Sequence, residues 1–186
     1  MWTAFLLVFI TGILNRIADM VADDGLKLSN NYSYPIGAVY GLLIAYTISI
    51  YPVLAPLAIA VLLSCVFTGK IDSEVHYLGI GTFLFFIYIF GLPPVQLLIF
   101  IGFLAAGILD ETGNRFADEK RFRGALGWFF GLRLTMEVSA FLISLITGEW
   151  IFFLAIVFYD LGFTYIFAGR RFGRKILNKR RANKVI

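Results

Sequence analysis

Residues 36–67 read IGAVYGLLIAYTISIYPVLAPLAIAVLLSCVF, a run without a single charged side chain. It is too long for one bilayer crossing, since about 20 helical residues span the hydrocarbon at about 1.5 Å each. It also carries its own breaker, Tyr51-Pro52 with Pro56 close behind. Proline removes a helical hydrogen bond and biases the residue before it toward extended backbone. The run therefore predicts two helices joined by a tight turn. The run 78–109 repeats the arrangement, with Gly91-Leu92-Pro93-Pro94 as its break.

The same reading extends outward. The 186 residues are 60% hydrophobic, only 15% charged, and include 20 Phe. A soluble domain is about half apolar and about a quarter charged, so the chain belongs to the membrane class. The fold predicted is all-α, a polytopic transmembrane bundle of about seven spans at 2–14, 36–50, 53–67, 78–91, 95–109, 124–146 and 150–168. If each long run is one tilted helix, five spans remain. Residues 1–169 form the transmembrane domain and 170–186 a basic cytoplasmic C-terminal tail. No basic residue precedes the apolar stretch from Trp2, whereas a secretory leader opens with positive charge; residues 2–14 read as part of the mature protein. The lone Cys65 excludes an internal disulfide and a multi-cysteine metal site.

Charge fixes sidedness. The tail holds eight Lys/Arg and no acid, leaving eight basic and twelve acidic residues elsewhere. With seven spans, the linkers 15–35, 68–77 and 110–123 share a side with the tail. Together they contain 15 of the 16 Lys/Arg, and the opposite turns contain none. That is the positive-inside pattern, which puts these linkers and the C-terminus in the cytoplasm. Beside a membrane span, the tail reads as an anchor on anionic lipid, not as a nucleic-acid-binding segment.

Two polar stretches interrupt the hydrocarbon, NRIADMVADDG at 15–25 and DETGNRFADEKRFRG at 110–124. In the first, Asn15, Asp19 and Asp23 recur every fourth residue; in the second, Asp110, Asn114 and Asp118 do so. That spacing stacks side chains on one helical face. Rows of oxygen donors suit a hard cation such as Mg2+, which is commonly held by one or two carboxylates plus substrate phosphates. The cations Arg16, Arg115 and Arg121 lie within these rows, and Lys70 follows the third span. Arginine matches phosphate geometry, so acids beside cations point to a diphosphate site. Both rows are expected to continue as helix beyond the apolar zone, although Gly113 threatens the second.

The spacing N-x-x-x-D-x-x-x-D at Asn15, Asp19 and Asp23 resembles the first aspartate motif of the UbiA superfamily of intramembrane prenyltransferases. Asn114 and Asp118, four spans later, stand where that family has its second motif. Arg16 and Asn114 occupy positions where the family often has Asp, and the chain is shorter than its members usually are. The resemblance implies a Mg2+-dependent transfer of a prenyl group from a prenyl or lipid diphosphate to an acceptor. Asp19, Asp23 and Asp118 would be catalytic. With Asn15, Asp110 and Asn114 they would hold one or two Mg2+ ions. Arg16, Lys70, Arg115, Arg121 and Arg133 would bind substrate. A homo-oligomer in which half-size units combine is compatible with the short chain. The rival motif of CDP-alcohol phosphatidyltransferases fails, because no Ala-Arg pair follows Asp24-Gly25.

Other charges remain. GKIDSEVH at 69–76 reads as a solvated turn carrying Asp72, Glu74 and His76. Arg133 and Glu137 are four apart inside a span, a spacing that permits pairing, and Asp160 has no sequence neighbour as partner. These three also allow a second class, a cation or small-solute transporter with acidic sites at span ends. A non-catalytic membrane scaffold is the third.

Overall fold

The computed structural model describes residues 1–22, 30–71 and 73–164. Asp23, Asp24, Asp72 and the basic tail 170–186 lie outside the described residues. The described chain is helical throughout its regular structure: α1 (Trp2–Ala22), α2 (Asn30–Ile50), α3 (Ala55–Phe67), α4 (Glu74–Phe90), α5 (Leu97–Asp118), α6 (Gly124–Gly131), α7 (Leu134–Thr147) and α8 (Ile151–Thr164). Both proline sites break the chain as the sequence predicts. After Tyr51, a single 3-10 turn (Pro52–Leu54) leads into α3. Gly91, at φ 84°, ends α4 before the Leu92-Pro93-Pro94 connection.

Among the described residues, three helices, α1, α2 and α5, are long and apolar enough to cross a membrane; the bent pair α6–α7 counts as a fourth only if it is taken as one span. The apolar helices α3, α4 and α8 are shorter. The surface carries the same message, since Tyr88, Leu98 and Ile146 are each more than 80% exposed. Large apolar side chains exposed to that degree suit lipid and not water. The chain is a helical membrane protein.

The predicted single span at 124–146 is corrected. α6 ends at Gly131, Arg133 adopts the left-handed conformation (φ 57°, ψ 41°), and α7 departs at 78°. The cause is outside the segment. Asp110 Oδ1 on α5 accepts from the Thr135 N–H at 3.1 Å, capping α7 from a neighbouring helix, and Asp110 and Glu111 hold the Arg133 side chain at the break. The new helix end thus obtains both a donor's partner and a nearby negative charge.

Small residues set how closely the helices approach. α2 lies against α4, and a Cβ added at Gly41 would stand 2.0 Å from the Gly79 carbonyl oxygen. α1 and α8 meet the same way, through Gly12 against the Tyr159 carbonyl and Gly162 against that of Phe9. In a bilayer, where apolar surface gains little by leaving lipid, such backbone-to-backbone packing drives association. Between these pairs sits an aromatic and aliphatic core that includes Phe5, Ile48, Phe103 and Phe152. Phe103 of α5 packs on Phe152 of α8 with centroids 5.4 Å apart.

Gly41→Ala is expected to force α2 and α4 apart and cost about 1–3 kcal/mol, the usual penalty of overpacking. Gly81→Ala on the same pair, with nothing within 4 Å of the added carbon, serves as the control. Thermal unfolding in detergent checks both; a Gly41→Ala protein melting with the control would contradict this packing.

Candidate functional site

The first acidic row runs along the final turns of α1, which stays helical to Ala22. Its members have separate partners. Asn15 Nδ2 donates to the hydroxyl of Tyr159 on α8. The Arg16 guanidinium lies over the Phe163 ring, 5.3 Å from its centroid. Asp19 Oδ1 meets His76 Nε2 at 3.1 Å, and His76 Nδ1 lies 3.1 Å from the Tyr40 hydroxyl. The Tyr40 hydroxyl also donates to the His76 carbonyl oxygen at 3.4 Å.

This chain of three side chains joins α1, α4 and α2. Ser73 caps α4, its Oγ accepting from the His76 N–H at 3.4 Å, so His76 sits in the first helical turn. The predicted solvated turn is corrected accordingly: Glu74–His76 are helical, and the His76 side chain is 14% exposed. Tyr40 is buried, and a Cβ at Gly79 would fall 2.1 Å from its hydroxyl oxygen. The close α2–α4 contact therefore leaves the phenol room beside the imidazole.

The second row lies on α5, which runs unbroken through Gly113 to Asp118. Asp110, predicted as a metal ligand, has both oxygens engaged: Oδ1 by the Thr135 N–H, Oδ2 by Arg133 Nε at 3.4 Å. Glu111 pairs with Arg133 Nη2 and, at 3.4 Å, with Lys70 Nζ. Asn114 Nδ2 donates to the Phe130 carbonyl at 3.4 Å. Arg115 Nη2 donates to the Thr68 carbonyl at 2.9 Å, at the end of α3. Arg121 turns to Glu119 and to the face of Phe116, away from the Glu111 cluster. Asp118 is exposed at the end of α5.

Two of the predicted cations, Lys70 and Arg133, thus converge on one carboxylate. Their side chains are 45% and 41% exposed, while those of Asp110 and Glu111 are about a tenth exposed or less. The cations are open to a ligand; the acids beneath them are not. Among the described residues, no three His, Cys, Asp or Glu side chains group closely enough to hold a metal ion.

Sequence reasoning missed Glu111, His76 and Tyr40 as members of these clusters. Glu111 adjoins a row residue and carries no periodic signal. The i, i+4 spacing of Arg133 and Glu137 suggests a local pair, yet Arg133 turns back to α5. No family model matches the chain, and no curated protein or solved structure matches it.

Proposed function

We propose that this chain is a membrane-embedded enzyme acting on a prenyl or lipid diphosphate, with Mg2+ as cofactor, and that it transfers the prenyl group to an acceptor. One observation carries the reading: Lys70 from the α3–α4 connection and Arg133 from the α6–α7 break converge on Glu111, and both cations stay open to a ligand. Two accessible cations side by side are what the oxygens of a diphosphate require. The UbiA-like spacing of Asn15, Asp19 and Asp23 supports the same chemistry. In this reading the helical runs make seven crossings, α6 and α7 together forming one. The polar ends of α1 and α5 face the cytoplasm, and the tail rests on anionic lipid.

Mg2+ enters this reading from the UbiA-like spacing: Asp19, Asn15 and Asp118 would offer the oxygens, while among the described residues no three His, Cys, Asp or Glu side chains gather to hold a metal ion. Asp110 leaves the ligand set, because its oxygens are committed to Arg133 and Thr135. When bound, Mg2+ would supply positive charge to the diphosphate oxygens as the leaving group departs. The chain's own contribution is electrostatic. Lys70 and Arg133 bind diphosphate oxygens and offset the charge that grows when the C–O bond breaks and its electron pair leaves with the diphosphate. The apolar bundle excludes water from the allylic cation until the acceptor attacks it and loses a proton.

A specific observation favours transport as the second reading. The α6–α7 pair is a broken helix with Arg133 at its break, and discontinuous helices often build transporter sites near the bilayer midplane. Two measurements on the purified protein separate the readings: equilibrium binding of a prenyl diphosphate with and without Mg2+, and cation flux in liposomes. The enzyme reading expects saturable binding abolished by EDTA and no flux. Flux without diphosphate binding would replace it with transport.

A further inference from the structure

Glu137 and Asp160 are used by neither of these clusters. Ser144 Oγ of α7 accepts from the Phe153 N–H of α8 at 3.1 Å; Glu137 and Asp160 each stand seven residues, two helical turns, further along these contacting faces, which brings their carboxyl groups opposite one another. The Glu137 Oε2 atom is buried and meets no hydrogen-bond donor among the described residues. A buried acceptor without a donor is costly, and two ionised carboxylates in contact at membrane depth repel each other in a medium that screens poorly. Both problems have one solution: a single proton placed between the oxygens turns two acceptors into a donor and an acceptor. Aspartic-protease carboxyl pairs share a proton for the same reason.

The surrounding charges do not provide an alternative. Asp110 on α5 faces both carboxyls and adds negative charge. Arg133 at the α6–α7 break is the cation that acts on Asp160, but its guanidinium is engaged by Asp110 and Glu111.

We propose that Glu137 and Asp160 form a proton-binding site inside the bundle, one proton held jointly by two carboxyl groups. The site does not depend on the diphosphate reading. It gives the membrane interior an acid beside Arg133.

Infrared spectroscopy of the purified full chain tests this, in D2O at neutral pH and in a detergent without ester groups. The wild-type protein should show a carboxylic-acid C=O stretch above the amide bands. Glu137→Gln alone should erase that band completely, and so should Asp160→Asn alone. In either variant the new amide N–H donates to the remaining carboxylate, so no proton is needed. Absence of the band in wild type, its survival in either folded variant, or loss of only half in each overturns the proposal. Half-loss would mean two independent acids. Circular dichroism and size-exclusion chromatography establish folding; if one variant fails, the other and the wild-type band still decide.

Discussion

If the proposed function holds, Asp19→Ala is expected to lower turnover of a prenyl diphosphate by at least about a hundredfold, the scale of removing one preorganised electrostatic contact at a reacting group. Asp19 is held in orientation by His76, which is itself held by Tyr40 and by the first turn of α4. The substitution leaves His76 Nε2 without its partner, a loss on the order of 1–3 kcal/mol, which is not expected to unfold the protein. Turnover and thermal unfolding should therefore separate, with activity collapsing while the melting temperature shifts modestly. Full activity in a folded Asp19→Ala protein would remove this residue from the chemistry and the diphosphate reading with it.

Arg133→Ala is expected to cost about 1–3 kcal/mol of stability, the scale of leaving a buried acceptor without its partner; the fully buried-pair range does not apply, because Arg133 is itself 41% exposed. Asp110 is 7% exposed and loses its only cationic partner among the described residues. Glu111 keeps Lys70, so the cost falls mainly on Asp110. The same side chain stabilises the break between α6 and α7, whose first free N–H groups rely on Asp110. Chemical denaturation in micelles measures the loss. Asp110→Asn placed in the Arg133→Ala background should recover a large part of it, since the amide needs no cation and its oxygen still accepts from Thr135. An Arg133→Ala protein with wild-type stability, or a double variant no better than the single, would show that the pair does not support the fold.

Much of the architecture was legible because its causes are local. The charge-free run 36–67 had to be membrane helix, and Pro52 had to break it, whatever the rest of the chain did. The continuation of α1 to Ala22 followed from the absence of a breaker before Gly25; that of α5 to Asp118 did not, since Gly113 was expected to interrupt the row and is instead tolerated inside the helix. The break at Arg133 was not legible. Nothing in GALGWFFGLRLTMEV demands it, since Gly131 alone is a weak breaker; the decision belongs to Asp110 and Glu111, more than twenty residues earlier. Site residues divided along the same line. Lys70 and Arg133 were singled out as candidate substrate-binding cations, but their meeting point, Glu111, was not. His76 was assigned to a solvated turn because sequence distance from Asp19 and Tyr40 conceals that three helices deliver them to one place.

By itself, the amino-acid order determined that the chain is a helical membrane protein, where its helices end at proline, and which faces of α1 and α5 carry oxygen. Hydropathy, backbone restriction and helical periodicity act over a few residues, so a linear reading captures them. Tertiary structure alone decided which carboxylate found which partner: Asp19 took His76, Asp110 took Arg133 and a helix end, and Glu137 faced Asp160. A buried charge must be satisfied by whatever group packing brings within about 3 Å, and that choice depends on how glycines let distant helices approach, a distance no local spacing encodes.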